Sequence, residues 1–312
     1  MNKICVLGSL NMDIVLKVEN MAKIGETIFA KSISNIPGGK GANQAVASKR
    51  MGSAVHMVGK VGLDNNGDFL VNALARDGIN TDFVFKDNKQ STGTAIINVD
   101  SQGNNCIVVV AGANMSINKD EIKQSYSIIK DCDVIIAQFE TPSEITFEAF
   151  NFAKSHGVIT ILNPAPAKKL DKNLLKCTDI IIPNETEAYE LTGILVEDLE
   201  GAKKAGLSFM NMGVKYVIIT LGSKGAALIT KEKAELIPAI LVKAIDTTAA
   251  GDSFIGAVSS KLRAEELSYE NLRKAIVFAN KVSSIVVQRL GAQPSIPTKK
   301  EVIDICGEDS YL

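Results

Sequence analysis

Residues 134–162 read VIIAQFETPSEITFEAFNFAKSHGVITIL. Val134–Phe139 is short and mostly apolar, as expected of a central strand of a parallel sheet that helices cover on either side. Ser143–His156 has the spacing of an amphipathic helix, Gly157 punctuates its end, and Val158–Leu162 is a second Ile/Val-rich run. Strand, helix, strand is the repeating unit of an α/β fold.

The same alternation extends outward over most of the chain. Further strands are expected at Ile4–Gly8, Ala54–Val61, Ile180–Pro183 and Tyr216–Leu221. Helices are expected at Gly41–Met51, Gly67–Asp77, Lys119–Lys130, Glu185–Thr192, Asp198–Met212, Asp252–Ala264 and Tyr269–Gln288. In the last, Leu272, Ile276, Ala279, Val282, Ile285 and Val286 recur at three- and four-residue spacing and make one buried stripe. Two segments break the pattern. Ile14–Ile36 alternates like a strand around a turn at Gly25, and Thr92–Ala111 holds two β-rich runs around Ser101–Asn105, a hairpin signal. Four antiparallel strands without helices would form a small separate sheet, whose apolar face must cover something or pair with a second copy. The expected fold is α/β. A central, mostly parallel sheet flanked by helices comes from residues 1–13, 37–91 and 112–312, with a small inserted β-sheet lid from 14–36 and 92–111.

Composition narrows the function classes. The 312 residues carry 34 Lys+Arg against 35 Asp+Glu, a net charge of −1. No cation excess is present to condense on nucleic acid or anionic lipid. Apolar runs such as Cys106–Ala113 fall far short of the ~20 residues that span a bilayer, and MNKICVLGSLNMD is not expected to be a secretory signal. Five scattered cysteines without a CxxC pair argue against a disulfide framework or zinc knuckle, which suits a cytoplasmic protein. The two histidines, His56 and His156, read as structural, so imidazole catalysis is poorly supplied.

Two stretches carry chemistry. Pro37–Ala47 reads PGGKGANQAVA. Gly38, Gly39 and Gly41 before a helix let the backbone approach a ligand and aim N–H groups at it. Lys40 and Asn43 add a cation and an amide at the same helix start, which a plain glycine turn does not need. Gly39-x-Gly41 begins a dinucleotide-type GxGxxG, but Gln44 stands at the third glycine and no acid closes the next strand. Asp246–Ala257 reads DTTAAGDSFIGA. The small residues Ala249, Ala250 and Gly251 open a helix, so their N–H groups are expected to form an anion hole reinforced by the helix dipole. Asp252 follows in the first turn. Phosphoryl transfer, with its loose transition state, asks of such an acid chiefly orientation and late proton acceptance.

Together GGKGAN and DTTAAGD resemble the two signatures of the ribokinase family of carbohydrate and nucleoside kinases, the PfkB superfamily. The resemblance runs along nearly the whole chain, through GSLNMD (8–13), AGAN (111–114), NPAPA (163–167), PNETE (183–187), TLGSKG (220–225) and GAQPS (291–295). Many members have Gly where Ala249 stands; the N–H serves equally from Ala provided φ stays negative there.

The resemblance implies ATP-dependent phosphorylation of the O5 hydroxyl of D-ribose. It assigns Asn11, Asp13, Gly39, Lys40, Asn43 and Glu140 to the sugar pocket, Asp252 to the reacting hydroxyl as base, and Ala249, Ala250 and Gly251 to the γ-phosphoryl. Asn184 and Glu187, an N-x-x-E pattern, would organise Mg²⁺ largely through water. Thr220, Gly222, Ser223, Gly225 and Gly251 would line the nucleotide, with Asn280 at the adenine edge. Asp246, Thr248, Val286, Arg289, Gly291 and Ser295 would form a K⁺ site, mostly of backbone carbonyls. A homodimer through the lid sheet is expected, with neither nucleic acid nor membrane as partner. A kinase for another small sugar (2-deoxyribose or fructose) and a non-catalytic sugar- or nucleotide-binding regulator are the alternatives.

Overall fold

Lys3–Leu7 (β1) is the hub of the computed structural model, which describes residues 1–307; the last five positions of the expected 112–312 core lie outside the described residues. The chain continues through β2 (Asn11–Lys17), β3 (Ser32–Gly38), α1 (Lys40–Arg50), β4 (Ala54–Gly62), α2 (Asn65–Arg76) and β5 (Asn80–Asp87). Next come β6 (Gly93–Val99), β7 (Asn105–Val110), α3 (Lys119–Gln124), α4 (Tyr126–Ile129), β8 (Val134–Ala137), α5 (Ser143–Ser155) and β9 (Ile159–Leu162). The remainder is α6 (Lys172–Lys176), β10 (Ile180–Ile181), α7 (Glu185–Thr192), α8 (Leu199–Asn211), β11 (Tyr216–Thr220), β12 (Ala226–Ile229), β13 (Ala234–Ile237), α9 (Ala250–Ser260), α10 (Tyr269–Val286) and α11 (Lys299–Cys306).

Nine strands form one sheet in the order β13-β12-β11-β10-β9-β8-β1-β4-β5. It is parallel from β11 to β5, with β12 and β13 antiparallel at one edge. Period-two alternation sends Ile4, Val6 and Ile136 to one face, where α1, α9 and α10 cover them. Cys5, Leu7 and Ile135 face the other layer, with Phe150 of α5 and Phe209 of α8. The six stripe residues of α10 are all buried. No helix of the described residues is long and apolar enough to cross a membrane.

The small sheet has the order β3-β2-β6-β7. It corrects the expectation of four antiparallel strands: β2 and β6 pair parallel, from Asn11↔Gly93 to Lys17↔Val99. Both strands leave the large sheet directly, β2 after β1 and β6 after β5, so they run outward in the same direction; only their hairpin partners β3 and β7 return. Because β2 begins at Asn11, both Asn11 and Asp13 stand on this small sheet.

Other differences have local causes. The expected helix over 119–130 breaks at buried Ser125, whose Oγ donates to the Ile122 carbonyl at 2.7 Å in place of a continuing helical bond. Strand β5 is an edge strand with mixed exposure and offered no clean run; the short hairpin β12–β13 and helices α6 and α11 were also missed.

Candidate active site

Strand order reverses at β1, whose neighbours are β8 on one side and β4 on the other, the place where an open α/β sheet leaves a crevice at its carboxyl ends. Successive strand ends deliver polar side chains there: Asn11 and Asp13 after β1, Gln138 and Glu140 after β8, Asn163 after β9, Asn184 after β10 and Thr220 ending β11.

The glycine run explains how α1 reaches this crevice. A Cβ on Gly41 would lie 2.6 Å from the Gly8 carbonyl carbon, so the two chains cross almost in backbone contact. Gly39 has φ +91, and a Cβ there would meet the Asn11 nitrogen at 2.7 Å. At Gly38 a Cβ would fall 2.1 Å from Asp13 Oδ2. These glycines clear space for Asp13 and for the start of α1.

The helix start then meets the second stretch. Asn43 Nδ2 donates to Asp252 Oδ2 at 3.0 Å, across 209 positions of sequence. Gln44 Nε2 donates to Asp252 Oδ1, also at 3.0 Å. Asp252 is buried in the first turn of α9. Ser9 Oγ donates to Glu140 Oε2, and the Lys40 N–H reaches the same oxygen at 3.4 Å. Asn114, fully buried, donates to Asn11 Oδ1 at 2.8 Å and accepts from the Leu10 N–H at 2.9 Å, fixing the amide that begins the lid.

The cleft is rich in acids. Burial first, then the Glu140 and Asp252 carboxylates, push Asp13 up to about 7 from its ordinary 3.8. Burial disfavours charge on Lys40, but Asp252, Glu140 and Glu187 outweigh it and hold the ammonium above its ordinary value. Glu187 is raised, chiefly by burial, against the opposing Asn184 N–H and Lys40. Asn184 and Glu187 form a reciprocal cap on α7: Glu187 N–H donates to Asn184 Oδ1 at 2.8 Å, and Asn184 N–H to Glu187 Oε2 at 3.0 Å. One carboxylate and one amide beside a cleft of this sign suit a divalent cation that keeps most of its water.

The loop expected to form an anion hole departs from expectation at one residue. Ala249 has φ +58 and ψ 9, the one left-handed non-glycine among the described residues, where a negative φ was expected. The loop must turn sharply out of the Asp246–Thr248 turn before α9 starts, and that geometry imposes a strain of about 1 kcal/mol on an alanine. The Ala250 N–H is hydrogen-bonded to the Thr247 carbonyl at 3.2 Å. Gly251 is exposed, and a Cβ there would meet nothing within 4 Å, so open space lies against the helix N-terminus.

The remaining expected positions fall into two groups. In the group expected to line the nucleotide, Gly222 and Gly225 bracket a short 3-10 turn that carries Ser223 next to Thr220; a Cβ on Gly225 would collide with the Ile237 carbonyl at 2.1 Å. Asn280 Nδ2 donates to the Ile237 and Pro238 carbonyls at 3.1 and 2.9 Å, leaving its Oδ1 to accept. In the second group, Asp246 Oδ1 accepts from the Thr248 N–H (2.9 Å) and hydroxyl (2.6 Å), and Oδ2 from the Gly291 N–H (2.8 Å). Burial alone would raise Asp246, but these donors outweigh it and keep its pKa low. The Val286 carbonyl accepts from the Arg289 N–H, whose guanidinium pairs with Glu301, and Ser295 Oγ closes on Ala292. Arg50, at the end of α1, ties this loop down through the Gln293 and Ile296 carbonyls at 2.7 and 2.8 Å.

Sequence reading gave no role to Ser9, Gln44, Asn114, Gln138 or Asn163. A usable signal existed for Gln138 and Asn163: each is the first polar residue after an apolar parallel strand, at the end where ligands bind.

Comparison with known proteins points one way. Residues 1–299 match the pfkB family carbohydrate kinase. A ribokinase of Staphylococcus aureus is 44% identical over 302 residues, covering 96% of this chain and 98% of that protein. A bifunctional ribokinase/ribose-5-phosphate isomerase A of Fructilactobacillus sanfranciscensis is 44% identical over 310 residues, and the chain spans 57% of that longer protein. The structure of Arabidopsis thaliana ribokinase complexed with ribose and ATP superposes with a TM-score of 0.89 at 34% identity, covering 97% of this chain and 98% of the other.

Proposed function

The chain belongs to the pfkB family of carbohydrate kinases, and from that premise we propose that it transfers the γ-phosphoryl group of ATP to the O5 hydroxyl of D-ribose. The observation that carries this reading is the buried Asp252 carboxylate, gripped by Asn43 at 3.0 Å, with the Lys40 ammonium and the Asp13 carboxylate around the same cleft.

Asn11, Asp13, Asn43 and the Gly39–Lys40 backbone hold the sugar hydroxyls, with Glu140 fixed through Ser9 at the far wall. A pocket built from buried polar groups rejects sugars lacking the matching hydroxyl, since its own groups are then left unpaired. The O5–H proton passes to Asp252 as the O5–P bond forms; the bond from phosphorus to the β,γ-bridging oxygen breaks, and ADP leaves. The Gly251 N–H, with open space against it, and the α9 dipole balance charge on the phosphoryl oxygens, at the expected Ala249–Gly251 anion hole. Lys40 supplies a permanent cation beside them. Thr220, Gly222, Ser223, Gly225 and Asn280 seat the nucleotide. Asn184 and Glu187 would hold Mg²⁺ through water, which when bound neutralises triphosphate charge in a cleft otherwise rich in carboxylates. Asp246, Thr248, Val286, Arg289, Gly291 and Ser295 frame a loop that a K⁺ ion would order from outside the substrate site. The exposed β7 strand is the face through which two copies pair in the cytoplasm.

Asp252→Asn is expected to lower kcat by about 10³-fold, within the usual range for a lost general base, while leaving ribose and ATP binding near their original values by calorimetry. A coupled ADP assay on ribose, 2-deoxyribose and fructose, followed by locating the new phosphate ester, tests the substrate; preference for fructose would overturn ribose as the acceptor.

A further inference from the structure

We propose that Gln44 is a positioning residue for Asp252, fixing the carboxylate in the orientation used for proton acceptance and itself held from behind by Gln138 and Asn163. The inference rests on Asp252 being the proton acceptor. Gln44 and Gln138 are both 0% exposed, which is unusual for glutamine; the Gln44 amide is fully used, whereas Gln138 engages through Nε2 and its Oε1 has no protein partner.

The bonding pattern leaves one arrangement. A carboxylate only accepts, so Gln44 presents Nε2 to Asp252 Oδ1 at 3.0 Å. The second Nε2 hydrogen goes to Asn163 Oδ1 at 3.2 Å. Gln44 Oε1 therefore faces Gln138, which donates its own Nε2 at 2.6 Å. Asn163 in turn donates to the Ile182 carbonyl at 3.1 Å, anchored at the end of β10. Every polar atom of the Gln44 amide is engaged, and the chain of donors ends on Asp252. The backbone beneath is equally tight: a Cβ on Gly256 of α9 would lie 2.5 Å from Ala47 Cβ and 2.9 Å from the Gln44 carbonyl. Residue 44 thus has no slack, and a rotation of the Asp252 side chain about its Cα would break its bonds to Asn43 and Gln44 together.

Asn43 stands at the sugar side of Asp252. Gln44 stands behind it, on the core side, where it reaches the reaction only through the carboxylate. Orientation errors near 1 Å cost about 10²-fold in rate. Gln44→Met keeps the size and removes the donors; kcat should fall about 100-fold, with KM for ribose and for ATP changed less than about threefold. The decisive readout is a double-mutant cycle. If Gln44 acts through Asp252, then Gln44→Met added to Asp252→Asn lowers kcat no further, whereas a general structural defect would subtract again. Should Gln44→Met fail to fold, Gln138→Met reads the same chain from its remote end. There a loss of about 10-fold in kcat at unchanged KM supports the proposal, and an unchanged kcat overturns it. A Gln44→Met enzyme within twofold of the parent, losses confined to KM, or additive losses in the cycle likewise overturn it. A near-normal Asp252→Asn rate would instead defeat the base assignment, which that single variant reports on its own.

Discussion

The two sheets of this molecule solve the same problem in opposite ways. In the nine-stranded sheet, Ile4 through Leu7 and Val134 through Ala137 are wholly buried between two helical layers. In the four-stranded sheet, all six residues of β7 are exposed, and Ile107, Val108, Val109 and Val110 each keep about half of their surface in solvent. The large sheet carries its own cover. In the small one the ends of β2 and β6 pack on the core through Met12 and Ala95, but β7 has no cover among the described residues; on the proposed reading, sugar would dock on the cleft side and a second copy against β7.

That contrast can be broken at its strongest point by paired substitutions. Ile136→Ala in the buried sheet should lower unfolding free energy by about 2–5 kcal/mol in urea titrations. Val109→Glu should move the monomer's stability by no more than about 0.5 kcal/mol, while shifting the sedimentation mass from dimer to monomer. A parent chain that sediments as a monomer at every concentration would remove the second copy from the account.

A smaller effect tests where the sheets meet. Asp13 lies on the small sheet, yet the charges that raise it after burial, Glu140 and Asp252, belong to the large domain. Its pKa is raised in the folded protein, so its contribution to stability is complete below about 3.8 and is lost as pH rises through about 7. Melting temperature measured from pH 4 to 8 should therefore carry a downward component that Asp13→Asn removes, and the variant should melt higher than its parent at pH 8. The same titration should make ribose KM fall as pH rises through 7, because only the ionised carboxylate accepts from two hydroxyls. A pH-independent KM would mean that the sheets are not electrostatically coupled. A last, modest change belongs to the large domain alone: Ala249→Gly should relieve left-handed strain and raise stability by about 1 kcal/mol in denaturant titration, with no change in the lid.

Much of this was legible from residues in order. Strands such as Val134–Ala137 declared themselves because a parallel strand buried on both faces is made of apolar side chains, and the stripe on α10 is a period that only a helix satisfies. Edge elements were not legible: Asn80–Asp87 is half-exposed on one rim, and on the other Ala226–Ile229 is too short a buried run to show a period while its partner Ala234–Ile237 is mixed. The parallel pairing of β2 with β6 depends on where each leaves the core, which no local window contains. Asn43 could be singled out because it sits in a glycine-rich start, whereas Gln44 looked like the residue that spoiled a motif. Its meaning lies in Asp252, Gln138 and Asn163, and only the fold brings them to it. The φ of Ala249 was misjudged for the same reason, since tertiary closure of the Asp246 turn overrides what alanine prefers locally.

The near-contact of Gly8 with Gly41 bears on how this site can change over time. With 2.6 Å available, one methyl at position 41 would act as a wedge, lifting α1 and with it Lys40, Asn43 and Gln44 away from Asp252 in a single motion. Residues around the sugar can drift one at a time and retune which alcohol is accepted. The crossing itself offers no graded path: tinkering is permitted at the rim and forbidden at the pivot.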